Sequence, residues 1–107
     1  MASETEKKKR SFRNSKKWKT FRHNCVVDCG GKDVITGKKL LKGFSLHHMD
    51  LDPDNYENLD NKEHFACLNK LTHKMVHWIY PYYRKDKSII KRLVEILERM
   101  DEINSYK

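Results

Sequence analysis

Five of the six histidines fall within residues 44–77, FSLHHMDLDPDNYENLDNKEHFACLNKLTHKMVH. His47 and His48 are adjacent, and His73 and His77 stand four apart. Residues four apart on a helix lie one above the other, so a helix here presents two imidazoles from one face. A strand ending in His-His presents two more from across the fold, provided a twist or bulge brings both to one side. Three imidazoles on one divalent ion leave coordination positions open for water or a phosphate oxygen. They also leave the ion its full charge, which is what a phosphodiester transition state needs. The fourth imidazole, with an ordinary pKa of about 6.5, suits a general base at neutral pH. Imidazole ligands favour Zn, Ni, Co or Mn; a carboxylate such as Asp50 in the set makes Mg easier. A lone His-His or a lone His-x-x-x-His is common by chance, and the weight lies in their combination. A zinc-protease helix would carry Glu directly after its first His. Lys74 stands there instead.

The elements that must position these groups are legible in outline. Residues 44–48 alternate as a strand. Residues 49–63 are acidic and turn-rich, with Asp50, Asp52, Asp54, Glu57, Asn58, Asp60 and Asn61, and read as a loop. Phe65-Ala66-Cys67-Leu68 is a second short strand that would pair antiparallel with the first. Asn69 is a plausible cap for a helix beginning near Lys70. Leu71, Met75 and Ile79 form its expected core-facing stripe, and Pro81 should end or kink it. Val34-Ile35 is a third strand candidate. Ile89, Leu93, Ile96, Leu97, Met100 and Ile103 describe an amphipathic C-terminal helix, either core cover or a dimer contact.

A chain of 107 residues with 37% hydrophobic residues and a mean hydropathy of -0.92 has a thin core. Its net charge of +8 attracts polyanions, nucleic acid foremost. Residues 1–24 hold nine basic side chains (Lys7, Lys8, Lys9, Arg10, Arg13, Lys16, Lys17, Lys19 and Arg22) against Glu4 and Glu6, hence +7 of the total. This is a basic arm, expected to be disordered over its first ten residues. Beyond them Phe12, Trp18 and Phe21 are spaced among the cations, with Ser11 or Ser15 as a helix cap. Such a segment suits phosphate contact, with Arg84 and Lys85 as further contributors.

No apolar run approaches the roughly 20 residues of a membrane span, and the polar first ten residues are not a secretory signal. Three cysteines, Cys25, Cys29 and Cys67, form no disulfide framework, so a reducing cytoplasm is the expected setting. Cys25-x-x-x-Cys29 lacks a second pair for zinc; idle thiols and no structural zinc are expected.

Taken together, ITGKKL, SLHHMD and HFACLNKLTHKMVH resemble the HNH endonuclease family over roughly residues 34–78, and most closely the small HNH proteins of bacteriophages. The His pair with His-x-x-x-His is similar to the nuclease domains of DNase colicins. The resemblance implies an α+β protein with a ββα-metal core and flanking N- and C-terminal helices: an arm over residues 1–24 and a nuclease domain over 25–107. It implies His48 as the general base and His47, His73 and His77 as ligands of one divalent ion (Mg, Mn, Ni, Co or Zn). The ion would stabilise the scissile phosphate and the leaving 3′-oxygen, giving 5′-phosphate and 3′-hydroxyl ends in DNA. Two features depart from the pattern. Asp33, Asn69 and Thr72 stand where zinc-knuckle cysteines would be, so packing of Phe44, Leu46, Phe65, Leu71, Met75 and Ile79 should hold the site. His64 stands where the middle Asn belongs, with Asn58 and Asn61 as nearby substitutes; His64 and Asn58 join His48 as catalytic candidates. Two alternatives accompany the endonuclease expectation. One is a non-catalytic nucleic-acid-binding module on the same fold. The other is a phage-encoded factor that contacts a host or packaging protein through its C-terminal helix. A monomer or homodimer in the cytoplasm, the host's if phage-encoded, fits each.

Overall fold

A computed structural model describes residues 3–52, 55 and 57–105, so Asp54 of the acidic loop lies outside the described residues. Within them the chain is mixed α+β, with four α-helices and a two-stranded antiparallel sheet. The order is α1 (Glu4–Arg13), α2 (Lys16–Asp28), β1 (Ser45–His48), β2 (Phe65–Leu68), α3 (Lys70–Lys85) and α4 (Ile89–Asn104). Among the described residues no helix is long and apolar enough to cross a membrane.

The arm is helical from Glu4 rather than disordered. Ser3 and Glu6 form a reciprocal capping box, with Glu4 and Glu6 in the first turn and Arg10 and Arg13 in the last. That distribution opposes the helix dipole at both ends. Ser15 caps α2 by accepting from the Trp18 amide at 3.2 Å. Gly30 and Gly31, at φ 67° and 71°, end it. Their amides return to the Val27 and Val26 carbonyls at 3.0 and 2.9 Å, a left-handed closure that a side chain would strain.

β1 and β2 pair in regular register, Leu46 opposite Cys67 and His48 opposite Phe65. Successive strand side chains leave on opposite faces. The Leu46 and Cys67 face meets α2, where Phe21, Cys25 and Cys67 form the buried core with Trp18, Val26 and Phe65 against it. Phe21 and Phe65 meet edge-on, 4.8 Å between centroids. The aromatic half of the basic arm is thus core.

Residues 33–36 form a turn instead of a strand, and Asp33 is the cause. Its Oδ1 accepts from the Ile35 and Thr36 amides at 2.7 and 2.9 Å, which curls the chain back on itself. Its Oδ2 accepts from the Asn69 amide at 2.8 Å and from the Thr72 hydroxyl. The Asn69 side chain, just ahead of α3, accepts from the Leu41 amide at 2.8 Å and donates to the Lys39 carbonyl at 3.1 Å. The three residues at the knuckle positions therefore tie the 33–41 loop to the start of α3 by hydrogen bonds. This corrects the expectation of apolar packing alone. It also sets the rotation of α3: Thr72 is buried against Asp33, while Leu71 and Met75 are 69% and 50% exposed instead of core-facing.

The chain divides into two compact units, residues 1–73 and 74–107, with the division inside the continuous helix α3. α3 runs through Pro81 to Lys85. In the second unit Asp86 accepts from the Ser88 amide at 3.0 Å and from Arg92 at 2.8 Å, closing the entry to α4. Those bonds hold the Asp86 carboxyl down at about 2, the Ser88 hydroxyl contributing most.

Candidate metal centre

The strand–helix arrangement gathers three of the five clustered histidines. His47 leaves β1 on the face away from α2 and is buried. Its ring meets that of His73 at 5.0 Å and 61°. His77 follows His73 by one turn of α3. One ligand nitrogen from each of His47, His73 and His77 lies within 4.8 Å of the other two. A shared ion sits about 2.0–2.1 Å from each imidazole nitrogen, so small side-chain rotations close the group around it. The donor set fits a divalent cation that accepts imidazole, and α3 carries two of its members in fixed spacing.

His48 leaves the ladder on the opposite face. Its ring lies flat on Phe65, 4.3 Å between centroids and 9° between planes. No bulge interrupts the register at His47 or His48, so the two imidazoles leave on opposite faces of the ladder, which corrects the expectation that a bulge brings both to one side. The His48 Cα follows that of His47 by about one strand step of 3.3 Å. Asp50 lies within electrostatic reach of both His48 and His64. The Asp50 carboxyl is held below the ordinary carboxylate range, first by the Asp52 amide at 3.0 Å, then by the Asn55 side chain, with the two histidines adding to it.

His64 closes a short 3-10 turn, Lys62–His64, and its carbonyl accepts from the Met49 amide at 2.7 Å. That bond prolongs the pairing past β1 and holds His64 next to Asp50. Asn58 is exposed in the loop and accepts from the Asp60 amide at 3.1 Å. Asn61 caps the 3-10 turn through the Glu63 amide at 3.1 Å. Asn55, whose side chain donates to Asp50, is the loop asparagine bound to a group beside His48.

Of the basic residues, Lys7, Lys8, Lys9, Arg10 and Arg13 lie on α1 and Lys16, Lys17, Lys19 and Arg22 on α2; Arg84 and Lys85 end α3. The Arg22 guanidinium sits 4.1 Å over the Phe44 ring at the entrance to β1. Lys16, Lys19 and the sixth histidine, His23, line one cavity of about 400 Å³ on α2 with Asn14 and Thr20. The spacing of 16, 19/20 and 23 is the helical signal that marks this face.

The thiols are free. Burial raises those of Cys25 and Cys67, the latter to about 12 with Cys29 adding to the effect. A protonated, buried thiol is a poor metal ligand and a poor nucleophile.

The residues missed in the sequence are Asp33 as the organising carboxylate and Asn55 as the Asp50 partner. Compared with protein-family models, with curated proteins and with solved structures, the chain matched none.

Proposed function

We propose that the chain is a small metal-dependent endonuclease of the HNH type that hydrolyses phosphodiester bonds in DNA. The observation that carries this reading is the meeting of His47, His73 and His77 from a strand end and a helix face, the positions the HNH resemblance gives to its metal ligands. His47, His73 and His77 would hold a divalent cation, which would supply positive charge to the scissile phosphate and the departing 3′-oxygen.

His48 takes the proton of the attacking water at its imidazole nitrogen. Phe65 fixes the plane of that ring by stacking. The Asp50 carboxylate lies within electrostatic reach of that ring. The bond formed joins the water oxygen to phosphorus, the bond broken is P–O3′, and the products are a 5′-phosphate and a 3′-hydroxyl. Lys and Arg side chains of α1 and α2 hold flanking phosphates and carry no sequence information.

Plasmid nicking across Mg, Mn, Co, Ni and Zn, with wild type, His48→Ala and His73→Ala, tests the reading. Metal-dependent nicking by wild type alone is expected, with DNA binding retained by both variants. Nicking that survives a chelator overturns the metal role. Nicking by His48→Ala overturns the base. DNA binding without nicking in any metal identifies a non-catalytic module.

A further inference from the structure

Past the last clustered histidine, α3 carries a stripe unlike a solvated helix face. Trp78, Tyr82 and Lys85 fall at i, i+4 and i+7, so they stack along one side. Trp78 is 72% exposed and Tyr82 62%. With His77 and Pro81 they line a cavity of about 600 Å³, inside the size range of small-ligand sites. Two flat rings at successive turns, with a cation one turn further on, are the parts of a base-stacking platform.

We propose that Trp78 and Tyr82 stack on an unpaired nucleobase while Lys85 meets a neighbouring phosphate. The favoured substrate then contains single-stranded or frayed nucleic acid beside the cleavage point. This rests on the endonuclease reading for its meaning, because His77 belongs both to the histidine cluster and to the wall of this cavity. The faces of bases in an intact duplex are covered by their neighbours, so aromatic side chains reach them only after unpairing. Arg84 and Lys85 and the +8 chain charge match a polyanion. The stripe continues upstream as Leu71 and Met75, which makes a protein partner the competing occupant.

The test uses the full chain with chelator present, so that nothing is cleaved. Fluorescence anisotropy of a labelled short oligothymidylate, of an abasic oligomer of equal length and of a blunt duplex is titrated with the protein, with indole quenching read alongside for wild type. Quenching and an affinity about tenfold higher for the base-bearing strand than for either competitor are expected. Trp78→Ala and Tyr82→Ala should each weaken that binding about tenfold, and Trp78→Phe should keep most of it. Equal affinity for abasic and base-bearing strands, tighter binding of the blunt duplex, or indifference to Trp78→Ala overturns the proposal; the last is what a protein-docking stripe gives. Because no cleavage is read, a chain that stacks bases yet never nicks plasmid fails only the endonuclease reading. A chain that nicks without this preference fails only the stacking.

Discussion

Residues 1–73 bury Phe21, Cys25, Cys67 and Leu68 and stack aromatic rings over them, whereas none of the described residues in 74–105 is buried. Both stretches are amphipathic in sequence. The first buries part of its apolar set, leaving Val27, Leu41 and Leu71 exposed, and adds a buried carboxylate with four donors. The second leaves Trp78, Tyr82, Ile96, Leu97 and Met100 facing outward. Periodicity thus states that a helix has two faces; it does not state what covers the apolar one. His48, the proposed base, and the Asp33 network lie in residues 1–73, while the aromatic stripe lies in 74–107 together with His77.

The largest expected effect tests that separation. His48→Ala should lower nicking by about a hundred- to ten-thousand-fold, the usual contribution of a general base, while thermal melting stays within about 1 kcal/mol of wild type. Substitutions at Trp78 or Tyr82 should cost only about tenfold in the same assay. Equal losses at His48 and Trp78 would break the contrast.

Next in size is Asp33→Ala. It removes the acceptor of the part-buried amides of Ile35, Thr36 and Asn69 and of the buried Thr72 hydroxyl, at a cost of about 3 kcal/mol. Melting followed by near-ultraviolet dichroism, which reports Trp18 packing, should move to markedly lower temperature. An unchanged midpoint would show that the network is not what holds the loop to α3.

How much of this was legible in the sequence follows from the range of each interaction. The strands at 45–48 and 65–68 and the helix from Lys70 rest on local alternation and period, which is why their histidines could be placed in advance. Ser15 as a cap depends on three residues of separation. Asp33 with Asn69 and Thr72 joins residues 36 and 39 apart, and no local pattern marks such a pairing. Its consequences were equally hidden: the turn where Val34-Ile35 looked like a strand, and the rotation that puts Thr72 inside and Leu71 outside. The helix at Glu4–Arg13 is marked in the sequence only by the Ser3–Glu6 box, a two-residue signal inside a composition typical of disorder.

Acid provides a gentler probe of the same carboxylate. Burial alone would raise the Asp33 carboxyl, but the bonds from Thr72, Thr36, Asn69 and Ile35 outweigh it and hold the group well below the ordinary range. The native carboxylate therefore contributes stability in full above the unfolded value of about 3.9. That contribution is lost as pH falls from there toward the depressed native value, at about 1.4 kcal/mol per pH unit for one proton. Melts collected across this window should fall steeply for wild type and less steeply for Asp33→Asn. Parallel slopes would assign the acid sensitivity to other carboxylates.

The smallest effect is expected in the second unit. Ile89, Leu93, Ile96, Met100 and Ile103 follow a four-three spacing along α4, and Ile96 and Leu97 are more than half exposed. Replacing Ile96 with Lys removes no buried contact, and helix propensity changes little between the two. Stability should stay within about 0.5 kcal/mol of wild type, the range of surface substitutions, against the several-fold larger loss at Asp33. A loss of 2 kcal/mol or more at Ile96, read from chemical denaturation of both chains, would mean that α4 is covered in solution. The two units would then differ in what covers their apolar faces rather than in whether those faces are covered.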